Sequence, residues 1–462
     1  MSLVTASEHH MPLPIPLAPS ALLALAFVLM PFGRMVEIPL LALSIWGLVC
    51  LLRGIRVKDV RVPVPLGLFA VFFIAPMLIA LPDAVLLEKS LVTTIGSLRF
   101  PLFVFAVLWM AHAATDPQRY IDKSCALLGA VVALLLLIWC LDGTLQAVSG
   151  QNLLGYGRGE GYINGLFGED DNIKLGITVA LLMPMGLVFL EGRQQLSAAF
   201  LLLLLTLGIV LLSGKRGAWI VAAVELLVLS TFFVKTQRLN GKHLSLGAVV
   251  LLVMSTLVFL NSDWVNQRSA SIARAATDPS YAALNEASGK RLPIWTTAVA
   301  IAKDNWVNGV GPRGFRFAYP TYAQEGDKWS APAGAAGGSR ASHAHQLLLD
   351  LAAETGSFGV VSYLATLYLL IRLWLRADAS QRRLALPFAA SLSGMLFPLN
   401  THPGWYSSWS ASFYWLLLGL YLLAISRPSA LIADGLKPLS NDRPSTEAQA
   451  KERESALEDN GR

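Results

Sequence analysis

Long apolar runs separated by short polar segments repeat along nearly the whole chain. Runs of roughly 17 to 25 apolar residues have the length of a helix that crosses the hydrocarbon layer of a bilayer. The pattern predicts about twelve such helices, at residues 18–33, 36–52, 62–81, 98–114, 124–147, 172–190, 196–212, 216–235, 244–262, 347–371, 384–400 and 409–426. We therefore expect an all-α polytopic membrane protein. The first run lacks a basic leader and a small-residue cleavage site, so we expect a retained helix.

These helices divide the chain into four regions. Residues 1–262 carry transmembrane helices 1–9, and residues 346–426 carry transmembrane helices 10–12. Between them, residues 263–345 form a loop far longer than the other connections, which is typical of a functional segment. Helical spacing of apolar residues within it, from Leu292 to Ala302, predicts local helices and therefore a partly helical cap. Residues 427–462 are polar and charged, which predicts a disordered tail.

Composition agrees with a membrane protein and excludes an ordinary soluble domain. Hydrophobic residues make up 55% of the 462 residues and charged residues only 14%, with a mean hydropathy of +0.56. The three cysteines, Cys50, Cys125 and Cys140, lie in or beside apolar runs without metal-ligand spacing, so we interpret them as core residues. The net charge of +6 follows mostly from topology, and we infer no nucleic-acid partner from it.

Basic residues concentrate in alternate short loops, which is the positive-inside pattern of cytoplasmic loops. With a cytoplasmic N-terminus, the inner loops carry Arg53, Arg56, Lys58, Arg61, Arg119, Lys123, Arg193, Lys235, Arg238, Lys242, Arg372, Arg376, Arg382 and Arg383. Both termini are then expected in the cytoplasm, and the 263–345 loop is expected on the outer face. The segment Ser342–Gly356 runs from this loop into an apolar helix, so His343 and His345 are expected at the membrane surface.

Three motifs in this part of the chain have a familiar order and spacing. They are Ser213–Trp219 (SGKRGAW), Arg291–Trp295 followed by Asn308–Phe315 (NGVGPRGF), and His345-Gln346 with a nine-residue gap to Gly356. Gly165–Asn172 is a weaker fourth match. Together they resemble the O-antigen ligase and polymerase superfamily over roughly residues 160 to 360, and the last spacing resembles the ligases in particular.

The resemblance implies a GT-C-like fold and a glycosyltransferase of lipopolysaccharide biosynthesis that uses no nucleotide sugar. Such enzymes take a completed glycan from undecaprenyl pyrophosphate and join it to a sugar of lipid A-core, at the periplasmic face of the bacterial inner membrane. The donor glycan, the acceptor and the bilayer are thus the expected partners, and no cofactor or metal is implied.

The residues suit that reaction, because a pyrophosphate leaving group needs cations and an acceptor hydroxyl needs a base. We expect Arg216 and Arg291 on the pyrophosphate, since guanidinium bonds phosphate oxygens bidentately. Interfacial snorkelling of Arg216 and a solvated helix-start charge at Arg291 are the alternatives. Lys215 is a second phosphate contact or a headgroup anchor. We expect His345 as the general base, although a helix-capping role remains open, and His343 as a substrate-orienting neighbour.

Other polar and aromatic residues have less definite expectations. The acidic cluster Glu160, Glu169, Asp170 and Asp171 has oxygen ligands that suit Mg²⁺ or Ca²⁺, but a turn and helix cap at Asn172 is the favoured interpretation. Asp350 and Glu354 are left outside the site. The loop aromatics are interpreted as the core of the cap and its membrane belt, although one or two could stack on sugar faces; they are Phe315, Tyr319, Tyr322, Trp295, Trp306 and Trp329. Between the last two spans, Trp405, Tyr406 and Trp409 are interpreted as an outer aromatic belt that borders the proposed cavity.

Three functions remain open on the sequence. The first is an O-antigen ligase. The second is an O-antigen polymerase or a protein O-oligosaccharyltransferase with the same donor class and a different acceptor. The third is a transporter, which predicts ionisable residues within several spans, whereas Glu225 is the clearest charge inside an apolar run.

Overall fold

A computed structural model describes residues 18–54, 63–158, 162–168, 174–236, 256, 263–332, 338–401 and 404–428. Within these ranges the regular structure is helical, and β-pairing is limited to two isolated bridges, Gln151 with Gly157 and Pro332 with Ser339. The prediction of an all-α protein is confirmed. The predicted span 244–262, apart from residue 256, and nearly all of the predicted tail lie outside the described residues.

Nine helices precede the long loop. They are α1 (Ala18–Leu29), α2 (Glu37–Leu52), α3 (Pro63–Ile79), α4 (Leu87–Ser97), α5 (Arg99–Ala113), α6 (Pro117–Ser149), α7 (Leu175–Gly192), α8 (Leu196–Leu212) and α9 (Arg216–Lys235) among the described residues. The loop and the C-terminal part of the described chain contain α10 (Asp263–Thr277), α11 (Tyr281–Ser288), α12 (Leu292–Asp304), α13 (Phe315–Tyr322), α14 (Leu347–Arg376), α15 (Ala379–Met395) and α16 (Ser408–Ile425).

Seven helical segments in the described ranges are long and apolar enough to cross a membrane, with α1 and α2 counted as one segment, Pro19–Leu52. Helices α3 and α8 are apolar but shorter. The chain is therefore a multi-pass membrane protein, while the count of about twelve spans stays a prediction. One helix, α4, has no counterpart in the predicted spans. Polar residues such as Glu88 and Lys89 lower the mean hydropathy of this segment, so a search for apolar runs misses it. The segment is nevertheless an amphipathic helix, on which the apolar side chains of Leu91 and Val92 are exposed.

The helices pack closely where small residues meet a neighbour. Helix α7 lies at the centre, in contact with α6, α8, α9 and α15, and every residue from Leu175 to Gly186 is buried. A Cβ added at Gly176 would lie 2.1 Å from Oγ of Ser213, and one at Gly47 would lie 2.1 Å from the carbonyl oxygen of Leu102. Close backbone approach at small residues is the usual way that helices associate in a membrane. Cys50 and Cys140 are buried in this core, as expected.

The helix ends define two faces of the bundle. Among the described residues, the site face carries the segments 30–36, 80–86, 150–158, 162–168, 213–215, 263–332, 338–346, 396–401 and 404–407. The N–H of Val85 donates to the carbonyl of Val310 at 3.1 Å, for example, and the N–H of Leu347 donates to that of Asn400 at 3.1 Å. The opposite face carries the end of α7 and the start of α15, where Arg383 pairs with Glu191. The basic residues of the predicted inner loops lie on this opposite face, except those outside the described ranges, which are Arg56, Lys58, Arg61, Arg238 and Lys242.

The long loop forms a small packed body on the site face. Its helices α12 and α13 enclose a second hydrophobic cluster, separate from the bundle core, made of Ile294, Ala298, Ile301, Val310, Phe315, Ala318, Tyr319, Ala341, Ala344 and Ala353. Because Ala344 lies between the two histidines and Ala353 lies in α14, this cluster joins the loop to the helix that the histidines precede. The loop is therefore anchored where the candidate chemistry lies.

Candidate functional site

The two histidines stand in a tight turn directly before α14. His345 has a positive φ of 52°, a backbone conformation that residues other than glycine rarely adopt. This turn brings the imidazole rings of His343 and His345 to a centroid separation of 3.8 Å, although two residues so close in sequence cannot share a helical face. Gln346 then begins the helix as its N-cap, with its side-chain oxygen accepting the N–H of Leu349 at 2.6 Å. The sequence did not predict the paired rings.

Positive charges from two other segments act on His345. Burial first, and then the charges of Arg291 and Lys215, together lower its pKa to about 3. The imidazole is therefore neutral at physiological pH. The structure thus brings together three residues that the sequence predicted for the site. Lys215 lies before α9, Arg291 lies at the start of α12, and His345 lies in the turn before α14.

Lys215 and Arg216 mark the beginning of α9. The Nζ of Lys215 lies 4.2 Å from the ring centroid of Tyr162, in a cation–π contact that fixes the ammonium group. Arg216 reaches the long loop, where its Nη1 donates to the carbonyl of Ala287 at the end of α11. The next residue, Ser288, accepts the N–H of Arg291 through its Oγ at 3.2 Å. Arg216 therefore joins the loop segment that presents Arg291.

A buried carboxylate that the sequence analysis left outside the site holds the histidine turn in place. Asp350, only 2% exposed, accepts the N–H of Ala344 at 3.0 Å through Oδ1 and the N–H of Trp405 at 2.8 Å through Oδ2. Charge-assisted bonds to buried N–H groups are strong, because neither partner has water as an alternative. Asp350 therefore joins the His343–His345 turn to the segment between α15 and α16, a supporting role that its residue type alone did not predict.

One turn further along α14, Glu354 holds another part of the loop. Its carboxylate accepts the N–H groups of Arg313 and Phe315, at the start of α13, and the positive charge of Arg313 faces it. The N–H of Gly311 donates to the backbone carbonyl of Glu354 at 2.9 Å. Below this contact Gly356 breaks the helix with φ of 61°, and a Cβ there would lie 2.2 Å from the carbonyl oxygen of Val307. Glu354 therefore holds the start of α13 against α14, a supporting role like that of Asp350.

Both carboxylates left a signal in the sequence. Acidic residues four apart lie on the same face of a helix, and a carboxylate facing lipid is strongly unfavourable. A pair at this spacing at the start of an otherwise apolar helix therefore indicates an inward, polar role. Their backbone partners, by contrast, are invisible in the sequence, because any residue can supply an N–H.

A small pocket adjoins the histidine pair. It has room for about one water molecule, and it is lined by His343, Gln346, Leu347, Asp350, Met395, Asn400 and Trp405. Trp405 and Tyr406 are buried, at 8% and 5% exposure, and pack against Phe73 with centroid distances of 5.9 and 5.6 Å. Their interpretation as an outer aromatic belt was wrong because both are buried, but Trp405 does border the candidate site, as expected.

The remaining predicted groups lie elsewhere. The acidic cluster at Glu160, Glu169, Asp170 and Asp171 lies outside the described residues, as does Asn172. Within the described part of the chain, no three or more His, Cys, Asp and Glu side chains converge into a group that could hold a metal ion. Phe315 and Tyr319 lie in the hydrophobic cluster of the loop, with Tyr322 and Trp329 packed against it, whereas Trp306 is exposed.

Fold and site together define a multi-pass helical membrane protein with two imidazoles and several cations gathered at one end of its bundle. A family model described as O-antigen ligase matches residues 201–364, from α8 into α14, and this segment contains Arg216, Arg291 and His345. The match confirms the resemblance found in the motifs and supports membership of the O-antigen ligase superfamily, and with it a glycosyltransferase of the ligase or polymerase type. No curated protein matches the chain.

Proposed function

We propose that the chain is an O-antigen ligase, which transfers a polysaccharide from undecaprenyl pyrophosphate to a sugar of lipid A-core. The observation that carries this proposal is the convergence of Arg291 and Lys215 on His345. Cations beside a neutral imidazole match the two needs of the reaction, a stabilised pyrophosphate leaving group and a base for the acceptor hydroxyl. The match to the O-antigen ligase family model supports the general class, and this geometry supports transfer from a pyrophosphate donor.

In the proposed reaction the cations bind the pyrophosphate of the donor. Arg291 and Lys215 neutralise the negative charge that develops on the leaving oxygen as the glycosidic bond breaks, and Arg216 contributes from the start of α9. Such fixed charges are effective because they need no reorganisation when the leaving group departs. They also perform this task without a metal ion, so the proposed reaction is metal-independent.

The acceptor hydroxyl attacks the anomeric carbon in a single inverting displacement. Its oxygen forms the new glycosidic bond while the bond to the phosphate oxygen breaks, its proton passes to His345, and undecaprenyl pyrophosphate leaves. An imidazole with a pKa of about 3 is a weak base. Bound pyrophosphate would offset the charges of Arg291 and Lys215, which raises the pKa of His345. Donor binding thus strengthens the base at the moment it is needed.

We further propose that the site face is periplasmic in the bacterial inner membrane, with both termini in the cytoplasm and with residues 263–345 as the periplasmic cap. The basic opposite face supports this orientation through the positive-inside rule. Within this orientation, residues 1–262 and 346–426 span the membrane and residues 427–462 extend into the cytoplasm. Reporter fusions at Gly326 and after residue 428 test it. Periplasmic activity of the second fusion would contradict it.

The proposed reaction is tested with purified protein in lipid vesicles. An undecaprenyl-pyrophosphate glycan is offered together with either lipid A-core or a second carrier-linked glycan. Glycan attached to lipid A-core is the expected product, whereas lengthened carrier-linked glycan alone would identify a polymerase and overturn the ligase assignment. His345→Ala should abolish transfer while the protein stays folded in the membrane. His112→Ala, near the opposite face at the end of α5, is the matched control and should retain transfer.

A further inference from the structure

Asn400 occupies a fixed position in the segment between α15 and α16. Its side chain is 2% exposed, and its Nδ2 donates to the carbonyls of Gly394 and Met395, both at 3.1 Å. These carbonyls belong to the last turn of α15, where the carbonyl of Gly394 also accepts the N–H of Leu396. Rotating the amide by 180° would turn its oxygen toward two carbonyl oxygens, so the orientation of Oδ1 is determined by this hydrogen bonding.

The oxygen of the same amide makes no hydrogen bond to any described residue. Asn400 lines the small pocket beside His343, together with Gln346 and Asp350. Those two neighbours are already engaged: both oxygens of Asp350 accept backbone N–H groups, and the amide of Gln346 bonds Pro398 and Leu349. A buried acceptor without a donor is unfavourable, which indicates that its donor lies beyond the described residues.

We propose that this pocket is the acceptor subsite, in which Asn400 Oδ1 accepts a hydrogen bond from a hydroxyl of the acceptor sugar. This inference rests on the proposed glycosyl transfer. The pocket has the size of one hydroxyl or one water molecule. Its other walls, Leu347, Met395 and Trp405, are apolar, so one hydroxyl enters the pocket and the sugar ring stays at its mouth. Because the ring of His343 lies 3.8 Å from that of His345, a sugar held here presents a neighbouring hydroxyl to the base.

Two substitutions test the subsite by different means. Asn400→Leu removes the acceptor oxygen at similar volume, but it also removes the bonds to Gly394 and Met395. Leu347→Phe fills the pocket and leaves Asn400 and the backbone bond from Leu347 to Asn400 unchanged. Leu348→Phe is the matched control, because Leu348 is the next residue on α14, is equally half-buried, and does not line the pocket. Transfer is measured against acceptor concentration and, separately, against donor concentration.

The acceptor KM should rise about 5- to 10-fold in Asn400→Leu, the effect of one lost hydrogen bond, and at least about tenfold in Leu347→Phe. The donor KM should stay within about twofold in both, and Leu348→Phe should match the wild type. An unchanged acceptor KM in folded Leu347→Phe overturns the proposal, because the pocket then holds only a structural water molecule.

A binding measurement separates this proposal from the ligase assignment. Labelled lipid A-core and labelled carrier-linked glycan are each titrated into the wild type and the three variants without a second substrate. If the wild type transfers glycan to neither molecule, the proposed function fails. The subsite is still supported if Leu347→Phe binds one of the labelled glycans more weakly than Leu348→Phe does. Equal binding by these two variants, or no binding by the wild type, overturns it.

Discussion

Replacing Asp350 with alanine should damage both the stability and the activity of the protein. The substitution removes the acceptors of two backbone N–H groups, those of Ala344 and Trp405, at 3.0 and 2.8 Å. Both groups are buried, so water cannot replace the lost partner. Each unsatisfied group costs about 1–3 kcal/mol, which gives about 2–6 kcal/mol in total. The loss should also release the turn that carries His345, and turnover per folded molecule should fall by at least about tenfold.

The matched control is Asp378→Ala. Asp378 also accepts a backbone N–H, that of Gln381 at 2.9 Å, but it caps α15 on the opposite face. Its loss should cost about 1 kcal/mol, the usual effect of an N-cap, and leave turnover unchanged. Asp350→Asn keeps one acceptor oxygen and should fall between the two.

Thermal unfolding in detergent and transfer per folded molecule are the two measurements. A purely structural role for Asp350 would lower the unfolding temperature and leave the turnover of the remaining folded protein intact. The reasoning is refuted if Asp350→Ala is no less stable than Asp378→Ala, or if its folded fraction turns over at the wild-type rate with an unchanged KM for both substrates.

Three further predictions concern other parts of the site. His345 stays neutral above its pKa of about 3, so kcat/KM of the wild type should show no fall toward acid pH between about pH 5 and 8 that reflects this imidazole. Lys215→Met removes a positive charge, raises the pKa of His345 and moves this fall to higher pH. A fall in wild-type kcat/KM near the ordinary histidine pKa would contradict this. Tyr162→Leu should raise the donor KM by about 2- to 5-fold, because it removes the cation–π contact with Lys215, whereas Tyr162→Phe keeps the ring and should keep the wild-type KM. Equal donor KM values in the two variants would refute a role for this contact in donor binding. Gly356→Ala should lower the unfolding temperature strongly, because φ is positive and a Cβ would meet the backbone, whereas Gly192→Ala, with open space around it, should leave the unfolding temperature unchanged.

Most spanning helices were predictable because a bilayer imposes a length and an apolar composition on them. Helices α6, α8 and α9 contain the predicted spans, and α7 matches the span 172–190 from Leu175 onward. Helix α4 was missed because amphipathic helices escape a search for apolar runs. Trp405 and Tyr406 were misplaced for a related reason. Aromatic residues between two spans are typical of an interface, and composition does not reveal that this segment folds inward against Phe73.

The sequence marks the candidate site where side-chain types carry the chemistry and does not mark it where the backbone makes the contacts. Lys215, Arg291 and His345 were proposed because their residue types and motif spacing indicate phosphate binding and proton transfer, and in the structure the charges of Lys215 and Arg291 act on His345. Asp350 was missed because its partners are the N–H groups of Ala344 and Trp405, which no residue type marks. The positive φ of His345 was equally hidden, since a histidine gives no local sign of a left-handed turn.

Asp350 and Glu354 hold the segments around the site through hydrogen bonds from backbone N–H groups, which affects how the proposed glycosyltransferase can change its substrates. The loops around the site are attached by atoms that every residue except proline possesses, so their side chains can be exchanged without loosening the attachment. One scaffold can therefore accommodate many different glycans, each recognised by a new set of loop side chains. Grafting the side chains of another glycan's enzyme onto segments 311–315 and 404–407, with both carboxylates retained, is a direct route to altered specificity.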